Sequence, residues 1–243
     1  MGFDQVVQRI TAIVNPIGAG ATPDGSDRVR RGDKYGNAFC LPAGLTPAQG
    51  GALSGNYFRG ANATPGTEIT THANQTAYDQ NLPIAVFRNT SSSRIMVPDF
   101  LAVKAETVLG SATRLLYTVS GSLTDDVSVS GTVLTAKNAR LGDTNTAQGA
   151  LHFGVPELTD VTKVILANGM FSDVVPVIDS NFVLRFGSPF EGSYISGAAT
   201  AAHAVRDAGA VALMPGATLG IYLYGDSGSA SPTYEVFGGW YEF

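Results

Sequence analysis

The hydrophobic positions of this chain keep one rhythm after about residue 82 and another before it. From Ile84 onward, apolar residues come in short runs, several alternating with polar ones. Each run stops at a cluster of Gly, Pro, Asn or Ser. That pattern predicts strands at Ile84–Arg88, Arg94–Val97, Phe100–Ala105, Arg114–Ser120, Ser128–Ala136 and Ala150–Val155. Further strands are expected at Val174–Ile178, Asn181–Phe186, Thr218–Tyr224 and Tyr234–Phe243. Pro98-Asp99 is expected to break the chain between the second and third. Thr159–Ala167 fits a helix capped by Thr159 or Asp160 and stopped by Asn168-Gly169, and it also fits a strand. There is no βαβ alternation and no internal repeat, so the expected class is all-β, a sandwich or barrel.

Before residue 82 no period holds. Stretches such as Ile17–Asp27 and Leu41–Gly66 are broken by Gly and Pro, which make up 17 of residues 1–80 but only 24 of the remaining 163. The change of texture places a boundary near residue 80. Yet Val6, Ile10, Val14, Phe39, Leu41, Leu53, Tyr57 and Phe58 punctuate the first part, and disordered tails are depleted in such residues. Residues 1–80 are therefore expected to be a long extended N-terminal arm that buries its apolar side chains on other surfaces. Residues 81–243 are the expected sandwich. Within the arm, Gln5–Val14 has the spacing of a short helix that Asn15-Pro16 would stop.

The last residues, Gly238-Gly239-Trp240-Tyr241-Glu242-Phe243, alternate aromatic and acidic side chains. They are expected to be half of a strand held in a sheet to its end. Gly238-Gly239 would allow a bulge or a close backbone approach. Trp240 is then either core or part of a seam between subunits.

Around this end a family pattern emerges. Pro215-Gly216 turns the chain into a strand, a Gly/Ser-rich loop follows, and a final strand closes on Trp240–Phe243. This resembles the closing hairpin of the jelly-roll head-decoration (cement) proteins of tailed bacteriophages. Ile84–Val97 resembles their first strand, Ser/Asn turn and second strand. The resemblance covers roughly residues 82–243 and excludes the arm, and C1q/TNF-like trimeric jelly rolls share the style. It implies a jelly-roll-like β-sandwich that forms a homotrimer on a capsid lattice, with the major capsid protein as partner. The location would be the virion surface, after synthesis in the host cytoplasm. Two other readings are a carbohydrate- or receptor-binding head-fibre module, in which Tyr222, Tyr224 and Tyr234 would line a groove, and a single jelly-roll shell protein.

Composition agrees with a protein covered by neighbours. Charged residues are 14% of the chain, against about 25% in ordinary domains, so little charge defends the surface against association. Residues 1–80 are neutral, with six Lys/Arg and six Asp/Glu, and the remainder carries the net −5. An acidic body argues against nucleic acid as a partner. Arg28, Arg30, Arg31 and Lys34 form a cluster suited to acidic groups on a partner, although Asp24, Asp27 and Asp33 cancel its long-range field. With Phe39, Leu41, Tyr57, Phe58, Trp240 and Phe243, these are the expected interface residues. The tripeptide Arg31-Gly32-Asp33 is read as a chance occurrence, as are the sequons at Asn62, Asn74 and Asn89.

The chemistry-bearing residues are sparse. Cys40 is the only cysteine, so no intrachain disulfide forms, and it is read as a packed apolar residue. His72, His152 and His203 are too scattered for zinc or a base paired with Cys40. Asp125-Asp126 reads as a solvated turn, because calcium needs six or more oxygens. Gly18-Ala19-Gly20 lacks the strand-to-helix context of a nucleotide loop, and no G-x-S-x-G is present. The expectation is no enzymatic activity, no cofactor and no metal. The start of the chain does not read as a signal peptide, and no stretch reaches transmembrane length.

Overall fold

The computed structural model describes residues 47–62, 64, 66–73, 75–107, 114–125, 127–128, 131–159, 163–172, 177–187, 194–198, 201–225 and 231–243. The chain divides into two units, Met1–Gly50 and Gly51–Phe243. In the first, only residues 47–50 are described, at the start of a short helix α1 (Pro47–Leu53). The second unit holds the strands described below.

In chain order these are β1 (Tyr57–Ala61), β2 (Ile69–Thr70), β3 (Ala85–Asn89), β4 (Met96–Ala105), β5 (Leu115–Ser122), β6 (Thr132–Val133) and β7 (Thr135–Asn138). They continue with β8 (Gly149–Phe153), β9 (Val164–Ser172), β10 (Asn181–Arg185), β11 (Tyr194–Ala198), β12 (Ala201–Asp207), β13 (Thr218–Gly225) and β14 (Thr233–Glu242). They form two sheets packed as a sandwich. The first has the order β11-β12-β10-β4-β14-β1-β7, with β2 also pairing β14, and the second the order β6-β8-β3-β13-β5-β9. Within the central eight strands every pairing is antiparallel. Followed along the chain, β1, β3, β4, β5, β9, β10, β13 and β14 lie in sheets one, two, one, two, two, one, two and one. Neighbours in space are thus mostly distant in sequence.

The core lies between the sheets and takes alternate residues from each strand, as the period of two requires. Phe58, Val103, Phe182, Leu184, Val236 and Trp240 come from the first sheet. Phe87, Val119, Leu151, Phe153, Leu219 and Ile221 come from the second. Burying each such side chain stabilises the fold by about 1.5–3 kcal/mol before entropy is counted.

An all-β sandwich is what the periodicity predicts, and most expected strands fall within a few residues of their place. Four differences have physical causes. First, the sandwich does not begin near residue 81: β1 sits between β14 and β7, pairing Phe58 with Trp240 and with Asn138. Its five residues are too few, and Gly60 too unlike a strand residue, for β1 to stand out in a Gly-rich stretch. Second, Pro98-Asp99 does not divide two strands. It forms a bulge in β4, with Asp99 unpaired opposite the Gly239–Trp240 step. β10 pairs only with residues 100–104, so Pro98 withholds no ladder bond from it. Third, β9 is a strand running straight through Asn168-Gly169, so the helical alternative for Thr159–Ala167 falls. Tyr117 lies over Gly169 so closely that an added Cβ would sit 3.0 Å from the ring, and the glycine serves ring packing. Fourth, β11 and β12 have no counterpart among the expected strands. The expected strand Val174–Ile178 falls mostly outside the described residues, and Gln5–Val14 lies wholly outside them.

Candidate interaction surface

Of the residues expected at an interface, Arg28, Arg30, Arg31, Lys34, Phe39 and Leu41 lie outside the described residues. Tyr57, Phe58 and Trp240 are buried within their own chain. Phe58 stacks on Trp240, with ring centroids 6.3 Å apart. Phe87 meets the same indole edge-on from the opposite sheet. Trp240 is therefore core. β14 lies between β4 and β1, and a residue on its inward side in mid-sheet has no route to the surface. Phe243 differs: it is exposed and stacks on Tyr241 at 6.0 Å.

The inward side of β14 ends in a buried carboxylate. Glu242 accepts hydrogen bonds from Trp240 Nε1 at 3.0 Å and from the backbone N–H of Gly149 at 2.8 Å and of Gln148 at 3.0 Å. Arg94 reaches it at 3.1 Å. This ties the last strand to β8 in the other sheet.

The outward side of the first sheet is the best candidate surface. Register places Val205 of β12, Val183 of β10, Ala102 of β4, Phe237 of β14 and Ala61 of β1 in one row across five strands. Phe237 is 49% exposed and meets Phe100 edge-on at 5.3 Å. Two residues along the strands, about 7 Å away, runs a second row. It holds Arg185 beside Asp207, then Phe100, Gly239, Arg59 and Lys137. Gly239 is required there, because an added Cβ would clash with the Tyr57 hydroxyl and lie 2.9 Å from the Phe100 ring. Two residues the other way, Lys104 pairs with Glu106 at 2.8 Å and Asp179 at 2.9 Å, with Glu235 at 3.9 Å. An apolar row thus runs between a cationic and an anionic one.

Beyond the cationic row, the Tyr57 hydroxyl donates to Asp99 at 2.6 Å. Burial, and then this carboxylate, hold the phenol well above its ordinary range. Arg59 lies 5.7 Å from the same ring.

Among the described residues, the second sheet ends on β9. In β9, Val164, Ile165 and Leu166 are exposed and Met170 is 38% exposed. Further along, Arg206 donates to the carbonyls of Met170 at 2.7 Å and Phe171 at 3.1 Å, which covers that end. The sheet's outer face is packed: Tyr222 is buried under Tyr78, at 4.8 Å edge-on, and hydrogen-bonds the Gln80 carbonyl. Tyr234 is buried too, and Tyr224 directs its hydroxyl at Thr118 at 3.0 Å. The three tyrosines do not converge on one groove.

His152 in β8 is buried, and its Nδ1 has no hydrogen-bond partner among the described residues. Burial, then the nearby Arg88, lower its pKa, while Asp125 opposes them. Arg88 holds Asp125 bidentately, at 2.5 and 2.6 Å. Among the described residues, no group of three or more His, Cys, Asp or Glu could hold a metal ion, and no helix is long and apolar enough to cross a membrane.

Comparison with protein-family models, curated proteins and solved structures finds no match to this chain.

Proposed function

We propose that this chain is a structural protein of a virus particle: a capsid decoration, or cement, protein that docks as a homotrimer on the major capsid protein and stabilises the head. The observation that carries the reading is the exposed apolar surface on an otherwise well-packed sandwich. It includes Phe237, at the centre of its row on one sheet, and Val164–Leu166 on the edge strand of the other. On a free monomer such surfaces invite association, and in an assembly they become contacts. The strand order supports the resemblance noted above. The chain crosses between the sheets at every step along β1, β3, β4, β5, β9, β10, β13 and β14 except from β5 to β9, and the resulting orders β1-β14-β4-β10 and β3-β13-β5-β9 are those expected of a jelly roll. Stabilisation comes from burial, about 25 cal/mol per Å² of apolar surface removed from water, less the entropy of ordering what docks. Attachment at several points multiplies contacts that are weak singly.

The test is co-sedimentation of the purified full chain with empty heads. Binding, with a rise in the temperature at which the heads rupture, is the expected result. Spontaneous closed shells of this chain alone would make it a shell protein. Failure to bind heads, together with retention on a glycan surface, would make it a receptor-binding module.

A further inference from the structure

We infer that the outer face of the first sheet is a self-complementary contact, on which a second copy of this chain packs face to face about a two-fold axis. The inference does not depend on the virion reading, because it rests on the arrangement of charge around the apolar row. On one side of that row, Arg185, Arg59 and Lys137 with Asp207 and Asp99 leave a net of one positive charge. On the other, Glu106, Asp179 and Glu235 with Lys104 leave a net of two negative charges. A two-fold axis lying in the face and running near the apolar row carries each charged row onto its opposite. The cations of one copy then meet the anions of the other, while the apolar rows superpose. An in-plane axis perpendicular to the row sets like charge over like, so the electrostatics select one of the two arrangements.

The dimensions suit such a contact. Six strands about 4.8 Å apart, over about 20 Å of strand length, give a footprint of roughly 600 Å² per copy. That is about 1,200 Å² for the pair, at the lower end of specific, stable interfaces. The sheets would pack about 10 Å apart and within about 30° of aligned. Phe237, exposed at the centre of the row, then lies against Phe237 of the partner copy. The contact implies an even number of copies: two, or six where it joins two trimers.

Sedimentation velocity and light scattering of the full chain at micromolar concentration test this. The expected mass is that of two or six copies. Phe237→Glu, and separately the double variant Lys137→Glu/Arg185→Glu, should halve that mass without changing the thermal melt. Should Phe237→Glu fold poorly, a linking experiment remains. With Cys40→Ser and Phe237→Cys, a bismaleimide of about 10 Å should join two copies through residue 237. The same reagent at Lys137→Cys should not. A wild-type mass of one or three copies overturns the inference, as does an even mass that survives both folded surface variants, or the absence of a 237–237 link.

Discussion

A buried carboxylate needs donors, and Glu242 has four: the Trp240 indole, the backbone of Gln148 and Gly149, and Arg94. Glu242→Ala leaves the first three without their acceptor. Two of these groups belong to the core-facing side, so the expected cost is about 3 kcal/mol. Urea unfolding measures it, and a loss below about 1 kcal/mol would mean that water takes the carboxylate's place. His152 is the opposite case, with a buried Nδ1 that has no partner among the described residues. Its folded-state pKa lies below the unfolded value of about 6.5. Between the two, the unfolded chain binds more protons, so stability falls as pH drops through that window and levels off below the folded pKa. His152→Leu removes the titration and the orphaned nitrogen together. The melting temperature of the variant, compared with wild type between pH 7 and 5, should lose less on acidification and should equal or exceed wild type at the acid end. Parallel curves would remove His152 as the cause.

At the scale of elements, β14 carries the most. It pairs with β4 on one side and with β1 and β2 on the other, and it brings Trp240 into the core. A chain stopped at Phe237 loses that indole, worth about 3–5 kcal/mol of a total of about 5–15 kcal/mol. It also opens the middle of a sheet. The expected result is insoluble or non-cooperatively melting protein; a soluble, cooperative melt would sink this account of the end of the chain. The strand was legible in the sequence because aromatic and β-branched residues run from Tyr234 to Phe243 with acidic residues among them, and Gly238-Gly239 announced a close approach. A Cβ on Gly238 would lie 2.6 Å from Leu151. β1 was not legible, because Tyr57 and Phe58 stand in a Gly-rich context that does not declare a partner. Their partners, Tyr241 and Trp240, are more than 180 residues away. Local periodicity shows that a strand exists and is silent on what lies beside it.

For the whole molecule, the position of β1 sets what can be removed. A chain begun at Pro47 keeps α1 and every described strand, so it should melt as cooperatively as the full chain and, on the proposed function, bind empty heads more weakly. A chain begun at Asn62 loses β1 from between β14 and β7 and should not fold. Calorimetry and co-sedimentation separate the two. If the chain begun at Pro47 bound heads as tightly as the full chain, the arm would have no part in docking.

The sequence by itself determined the class of this protein. Period-two runs of Val, Ile, Phe and Tyr between turn residues can bury one side of a strand and little else, so an all-β sandwich follows from chemistry acting over a few residues. It also determined that the final strand ends inside the fold, because alternation holds to Glu242. Only the tertiary structure decided which aromatics face in and which face out. Trp240 is core and Phe237 is surface because β14 lies in mid-sheet, with one side toward the second sheet and the other toward solvent. The charged rows flanking Phe237 draw on residues from Arg59 to Glu235. Their alignment is a matter of register between strands far apart in the chain, which no local pattern encodes.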